Sequence, residues 1–217
     1  MKNEEFLDEQ LIDMINQAEA SQKDEKKKTQ ESGAQAADKN DEESKAGLGQ
    51  GVKILGKTYC FERRLMADDT ISVMVPTEFS PMSEEIANSK YPSTYRPETI
   101  LTDQSGTVNL MFHYMEGDDG KTSVELLRNQ VFGMMKRVNG SIKERETGMT
   151  HAGLNEIAYV EFTNNVMDGK LYNLMFYVDV KGKPLMGSFN CSTKEMKYWR
   201  DIAFEMVQSL EIPETAE

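Results

Sequence analysis

The chain has 217 residues, with 25 Lys and Arg against 37 Asp and Glu, a formal charge of −12. That balance works against a nucleic-acid binder and against an anionic-membrane binder, both of which need a basic face to meet phosphate. No stretch approaches the roughly 18 uninterrupted apolar residues of a membrane span, and acids break the opening run MKNEEFLDEQLIDMINQ where a secretory signal needs an apolar core, so the expected compartment is the cytoplasm.

The first fifty residues hold seven Lys/Arg, thirteen Asp/Glu, one aromatic (Phe6) and no proline. Within residues 1–20, Leu7, Leu11, Met14, Ile15 and Ala18 recur at helical spacing, with acidic side chains on the other face. The period predicts a short amphipathic helix. A helix of about 15 residues is marginal alone in water. It is therefore expected to dock on its own domain, to dock on another protein, or to fray, with Phe6, Leu7, Leu11 and Ile15 as the partner-binding residues. Residues 21–50 carry too little apolar surface to offset their ordering entropy and read as a disordered charged linker. The folded domain is expected over residues 51–217.

From Lys57 the period changes to that of strands. Tyr59–Met66 and Ile71–Val75 read as a strand pair joined by Ala67-Asp68-Asp69, and Pro76 ends the second. Residues 77–98 form a long proline-rich connection with one possible helical turn at Ser83-Glu84-Glu85. Thr99–Thr102 and Val108–Met115 are strand-like. Ser123 can cap a helix whose apolar stripe is Leu127, Val131, Met134, Met135 and Val138, stopped by Asn139-Gly140. Ile142–Met149 reads as an edge strand. Ile157–Val166, Leu171–Val180 and Pro184–Cys191 follow, separated by the turns Met167-Asp168-Gly169 and Lys181-Gly182-Lys183, so the four should form an antiparallel meander. Thr193 is the expected cap of a last helix carrying Met196, Trp199, Ile202, Ala203, Met206, Val207 and Leu210, which the chain leaves in extended form over Ser209–Ile212. The fold class is α+β: one twisted, mainly antiparallel sheet flanked by helices.

Chemistry is sparse. Gly120-Lys121-Thr122-Ser123 opens a helix after a strand, but the glycine that a phosphate loop needs five positions earlier is Met115. Glu116, Asp118 and Asp119 lack the spacing of a calcium loop. Cys60 and Cys191 match no redox or metal spacing. His113 lies in a strand and His151 in an expected loop, and neither has a spaced metal partner. Catalytic, cofactor and metal residues are therefore expected to be none. The competing enzyme reading, a small hydrolase or metal-dependent enzyme, would have to gather His113, His151 and Cys191 in one pocket. A third reading is a self-associating subunit that pairs through Ile142–Met149. The 15 methionines allow either ordinary core filling or an adaptable groove for apolar segments.

The order of segments carries a resemblance. A strand Ile71–Val75 ends in Pro76 with Phe79 just beyond. A strand Val108–Tyr114, a helix opened by Ser123-Val124-Glu125, and Glu146-Thr147-Gly148 follow. Two long strands then carry Ala158-Tyr159-Val160 and Tyr172-Asn173-Leu174, and a terminal helix ends in Val207-Gln208-Ser209-Leu210. Over about residues 57–212 this resembles the PsbP-like superfamily, and within it the bacterial DcrB-like group. The resemblance implies a central antiparallel sheet flanked by helices, and function by binding with no shared catalytic residue. The expectation is a non-enzymatic cytoplasmic protein-binding module, an adaptor or chaperone-like factor for a secreted or membrane-associated partner. It is expected as a monomer or weak homo-oligomer.

Overall fold

The computed structural model describes residues 47–91, 96–97, 100–115, 121–166 and 169–214. The predicted helix within residues 1–20, most of the 21–50 linker and the Met167-Asp168 part of one predicted turn lie outside them. Leu48, near the end of the expected linker, is buried and joins the core from a short 3-10 turn, Leu48–Gln50.

Two hairpins come first: β1 (Val52–Ile54) with β2 (Lys57–Tyr59), and β3 (Phe61–Met66) with β4 (Ile71–Pro76). The predicted strand Tyr59–Met66 is split at Cys60, and the β1–β2 hairpin is an addition to the expected elements. The turn between β3 and β4 has Ala67, Asp68 and Asp69 all in the left-handed region, at φ 52, 55 and 60°. Then come β5 (Ser80–Pro81), α1 (Glu84–Lys90), β6 (Ile100–Thr102) and β7 (Asn109–Tyr114). The Ser83 hydroxyl accepts from the Ile86 N–H, so the single expected turn is extended into a seven-residue helix. Next are α2 (Val124–Val138), β8 (Lys143–Ala152), β9 (Asn155–Val166), β10 (Gly169–Val180), β11 (Lys183–Ser192) and α3 (Met196–Gln208). Ser123 caps α2 as its sequence predicts, accepting from the Leu126 N–H. At α3 the cap position is Glu195 rather than Thr193, with no side-chain cap bond.

Among the described residues the main sheet has seven strands in the order β5-β6-β7-β11-β10-β9-β8. Each neighbouring pair is antiparallel. Strands β8 to β11 form the predicted meander. The α2 crossover carries the chain from β7, beside β11, to β8 at the far edge. The fold class is α+β as expected.

Strand alternation sorts the sheet into two faces. On one, Leu110, Phe112, Leu174, Phe176, Phe189 and Cys191 pack with Trp199, Ala203 and Met206 of α3 and with Ile71, Val73 and Val75 of β4. Trp199 is at the centre, with ring centroids 5.1 Å from Tyr59, 5.8 Å from Phe79 and 6.0 Å from Phe189. On the other face, α2 lies on Met115, Val160, Phe162, Met175, Tyr177 and Met186. Helix α1 lies on Ile100 and Met111. Met111, Met115, Met135, Met175 and Met186 are all buried on this second face. They fill the core there instead of lining an open groove.

Candidate partner-binding edge

The two ends of the sheet differ. At one end β5 is only two residues long, too short to template another strand. At the other, β8 runs for ten residues and, among the described residues, pairs with β9 alone. The predicted edge strand is therefore an edge strand, three residues longer at its far end than its sequence suggested.

β8 has two halves. Lys143, Glu144, Arg145 and Glu146 are exposed and charged, and the register with β9 slips between Glu144 and Glu146. Charge and a bulge are both devices that discourage edge-to-edge pairing. Thr147–Ala152 carries no Lys, Arg, Asp or Glu and keeps regular pairing with β9 down to Ala152 opposite Asn155. Only this second half is suited to accept a further strand.

Side chains from α2 and α3 hold this edge in place. From α2, the Arg128 Nη1 donates to the Gly148 carbonyl at 2.7 Å, and Lys136 Nζ sits 3.0 Å from Glu144. Arg128 is 4% exposed although it carries a charge, so its head is buried against the strand it binds. From α3, Gln208 Nε2 donates to the Thr150 hydroxyl at 3.0 Å. Arg200 Nη2 reaches Glu146 Oε2 at 2.8 Å and Glu161 Oε1 at 2.5 Å, while its Nε donates to Glu161 Oε2 at 2.7 Å.

Glu161 is 0% exposed, and its carboxylate also accepts from the Tyr172 hydroxyl at 2.7 Å. Burial, reinforced by this bond to Glu161, pushes the Tyr172 phenol well above the ordinary tyrosine range. The hydrogen bond to Glu161 raises the Arg200 guanidinium further above its already high value. Tyr159 completes the set by donating to Glu146 Oε1 at 2.9 Å. A Cβ on Gly148 would lie 2.7 Å from the Tyr159 hydroxyl oxygen, so only glycine lets that ring cross β8 to reach Glu146. Three adjacent strands and α3 are thus joined through one buried carboxylate, which makes β8 a rigid edge. A preformed surface loses less entropy on binding.

The sequence-predicted chemical residues are dispersed. His113 lies opposite Met186 and shares the α1/α2 face with Met111 and Met115. Cys191 lies five residues beyond Met186, roughly 16 Å along the strand, and on the opposite, α3 face. His151 is in β8, not in a loop, and is exposed opposite Glu156. Three strand spacings, roughly 14 Å, separate β8 from β11. These three residues cannot share a pocket, which removes the hydrolase reading built on them. Among the described residues no three His, Cys, Asp or Glu side chains are grouped to hold a metal ion. No helix among them is long and apolar enough to cross a membrane. The Phe6, Leu7, Leu11 and Ile15 set lies outside the described residues.

Both cysteines are free, Cys60 exposed and Cys191 buried. Burial, with a lesser contribution from Glu195, pushes the Cys191 thiol far above its ordinary value. A maleimide at pH 8 is therefore expected to label one cysteine in the native protein and two in denaturant. Two equivalents in the native protein would contradict this packing of β11 under α3.

The arrangement of sheet and helices has a counterpart among solved structures. The solution structure of cyanobacterial PsbP (CyanoP) from Synechocystis sp. PCC 6803 superposes with a TM-score of 0.54. It covers 78% of this chain and 98% of that one at 14% identity. The fold is the PsbP-like fold, as the order of segments predicted. LpqN of Mycobacterium tuberculosis, described as involved in cell envelope biogenesis, is similar over 71% of this chain and 91% of its own. Its identity is 9% and its TM-score 0.48. No protein-family model and no curated protein matches the sequence.

Proposed function

We propose that the chain is a non-enzymatic protein-binding module, an adaptor or chaperone-like factor. Its domain takes an extended segment of another protein onto the free edge of β8. The observation that carries this reading is the uncharged half of that edge, Thr147–Ala152, paired on one side and braced from both faces of the sheet. Strand addition of this kind draws affinity from main-chain hydrogen bonds. We assign the acidic segment bearing Phe6, Leu7, Leu11 and Ile15 a second contact with the same partner. The DcrB-like assignment, a secreted or membrane-associated partner and a cytoplasmic location belong to the same reading. Two cysteines that form no disulfide support that location.

The test compares capture from source extract by the full chain and by a Thr147→Lys/Met149→Lys variant. Both positions are exposed, so the variant is expected to fold unchanged by circular dichroism. The expected result is loss of one specific protein from the variant. Equal capture by both proteins would sink the edge reading. A second copy of the chain is the competing occupant of the same edge. Light scattering that shows a dimer in the wild type and a monomer in the variant would favour the self-associating subunit.

A further inference from the structure

The connection from α2 to β8 reads Val138-Asn139-Gly140-Ser141-Ile142, and of the chain's asparagines Asn139 alone precedes a glycine. Asn-Gly is the pair in which a main-chain nitrogen most readily attacks the neighbouring side-chain amide, because glycine has no Cβ to obstruct the approach. Asn139 is the cap residue at the end of α2 and is 7% exposed, while Gly140 is exposed.

The fold holds Asn139 out of that reaction. Its N–H donates to the Met135 carbonyl at 2.9 Å, and its own carbonyl accepts from the Ile142 N–H at 3.2 Å. Its side-chain Oδ1 accepts from the Ser141 N–H at 2.9 Å and from the Ser141 hydroxyl at 2.7 Å. The hydroxyl oxygen accepts in turn from the Asn165 N–H of β9 at 3.1 Å, which ties the turn to the sheet. At ψ 97° the main chain points the Gly140 nitrogen away from the Asn139 side chain. A succinimide ring needs that nitrogen on the side-chain side, so the Asn139 Cα–C bond must first rotate. Rotation carries Gly140 and Ser141 away and breaks the bonds to Oδ1 and from Ile142. The reactive state is therefore a local opening of this junction.

We propose that Asn139 is a site of spontaneous deamidation, clasped unreactive by Ser141 in the closed fold and released when the end of α2 opens. In the open state the Gly140 nitrogen, its proton lost to hydroxide, forms a bond to Asn139 Cγ. The Cγ–Nδ2 bond breaks, and Nδ2 leaves as ammonia with a proton from water. Water then opens the succinimide at either carbonyl, with no change of oxidation state. Opening at Cγ leaves aspartate. Opening at the main-chain carbonyl leaves isoaspartate, with the chain routed through Cβ and Cγ. Both products put a carboxylate at the C-terminal end of α2, where the helix dipole is already negative. Isoaspartate also lengthens the connection that leads into β8.

The full chain is incubated at pH 8, folded and in denaturant, and Asn139 is followed by peptide mapping that separates isoaspartate from aspartate. The denatured chain is expected to convert Asn139 ahead of its other asparagines. The folded chain should convert it more slowly by about tenfold or more. Ser141→Ala removes the hydroxyl clasp and leaves the reacting atoms in place. It should speed conversion in the folded chain about threefold or more, and in denaturant by less than about twofold. Gly140→Ala adds a methyl group that meets no atom within 4 Å, so it should melt as wild type does and convert slowly in both states. Equal rates for folded and denatured wild type would overturn the proposal. So would a folded Ser141→Ala rate equal to that of wild type, or a different asparagine converting first in denaturant.

Discussion

Gly187→Ala is expected to destabilise the domain by about 3 kcal/mol, at the upper end of what overpacking a core costs. Gly187 in β11 lies directly opposite Phe176 in β10 on one side and Phe112 in β7 on the other. The two rings meet edge to face across it, with centroids 5.9 Å apart and an interplanar angle of 80°. A Cβ at Gly187 would lie 2.0, 2.3 and 2.6 Å from three atoms of the Phe176 ring. Phe176 is 1% exposed, so the ring has no free space to move into. The loss is a large share of the roughly 5–15 kcal/mol that holds a domain together. At about 2–4 °C per kcal/mol for a domain of this size, the melting temperature should fall by roughly 6–12 °C. Adding Phe176→Leu should recover part of that loss, because a smaller side chain leaves room for the methyl group. A Gly187→Ala melt within about 2 °C of wild type would show that β10 and β11 are not in the register described.

Arg200→Met is expected to cost about 3–5 kcal/mol, the range for stripping a buried charge of its partner. Glu161 is wholly buried, and Arg200 supplies two of the three hydrogen bonds that its carboxylate receives. Methionine keeps the length of the aliphatic stem but loses the guanidinium that lies over Phe204, with Cζ 5.4 Å from the ring centroid, so the loss includes this cation–π contact as well as the ion pair. The double variant Glu161→Leu/Arg200→Met should be less destabilised than Arg200→Met alone, because it removes both charges together. Its residual cost is the Tyr172 hydroxyl left without an acceptor, about 1–3 kcal/mol. Chemical denaturation of the four proteins completes the cycle. If the single and double losses simply add, Glu161 and Arg200 are not coupled. The brace on β8 through Glu146 would then lose its anchor.

Some parts of this molecule were legible in the sequence and others were not. Helix α2 was, because a capping Ser123 precedes Leu127, Val131 and Met135 at helical spacing. The meander was, because Lys181-Gly182 marks a tight turn and both residues adopt the positive φ that such a turn needs. The last residues of β8 were read as a loop because Gly153 draws the eye. Yet Gly153-Leu154 is a two-residue turn, and pairing continues to Ala152 and Asn155. The β1–β2 hairpin was missed because three-residue strands such as Lys57–Tyr59 carry almost no periodic signal. Glu161 did leave a trace, as a lone acid in the apolar run Tyr159-Val160-Glu161-Phe162. Its cation lies 39 residues away on a helix, and only the sheet register brings the two together.

Hydrogen–deuterium exchange over the full chain, alone and bound to the protein it captures, tests the central claim most directly. The account expects amides in Thr147–Ala152 to slow on binding, as their outward groups gain partners, while the buried strands β10 and β11 stay as they were. Unchanged exchange throughout Lys143–Ala152, with protection appearing on the α1/α2 face or confined to residues 1–20, would contradict it.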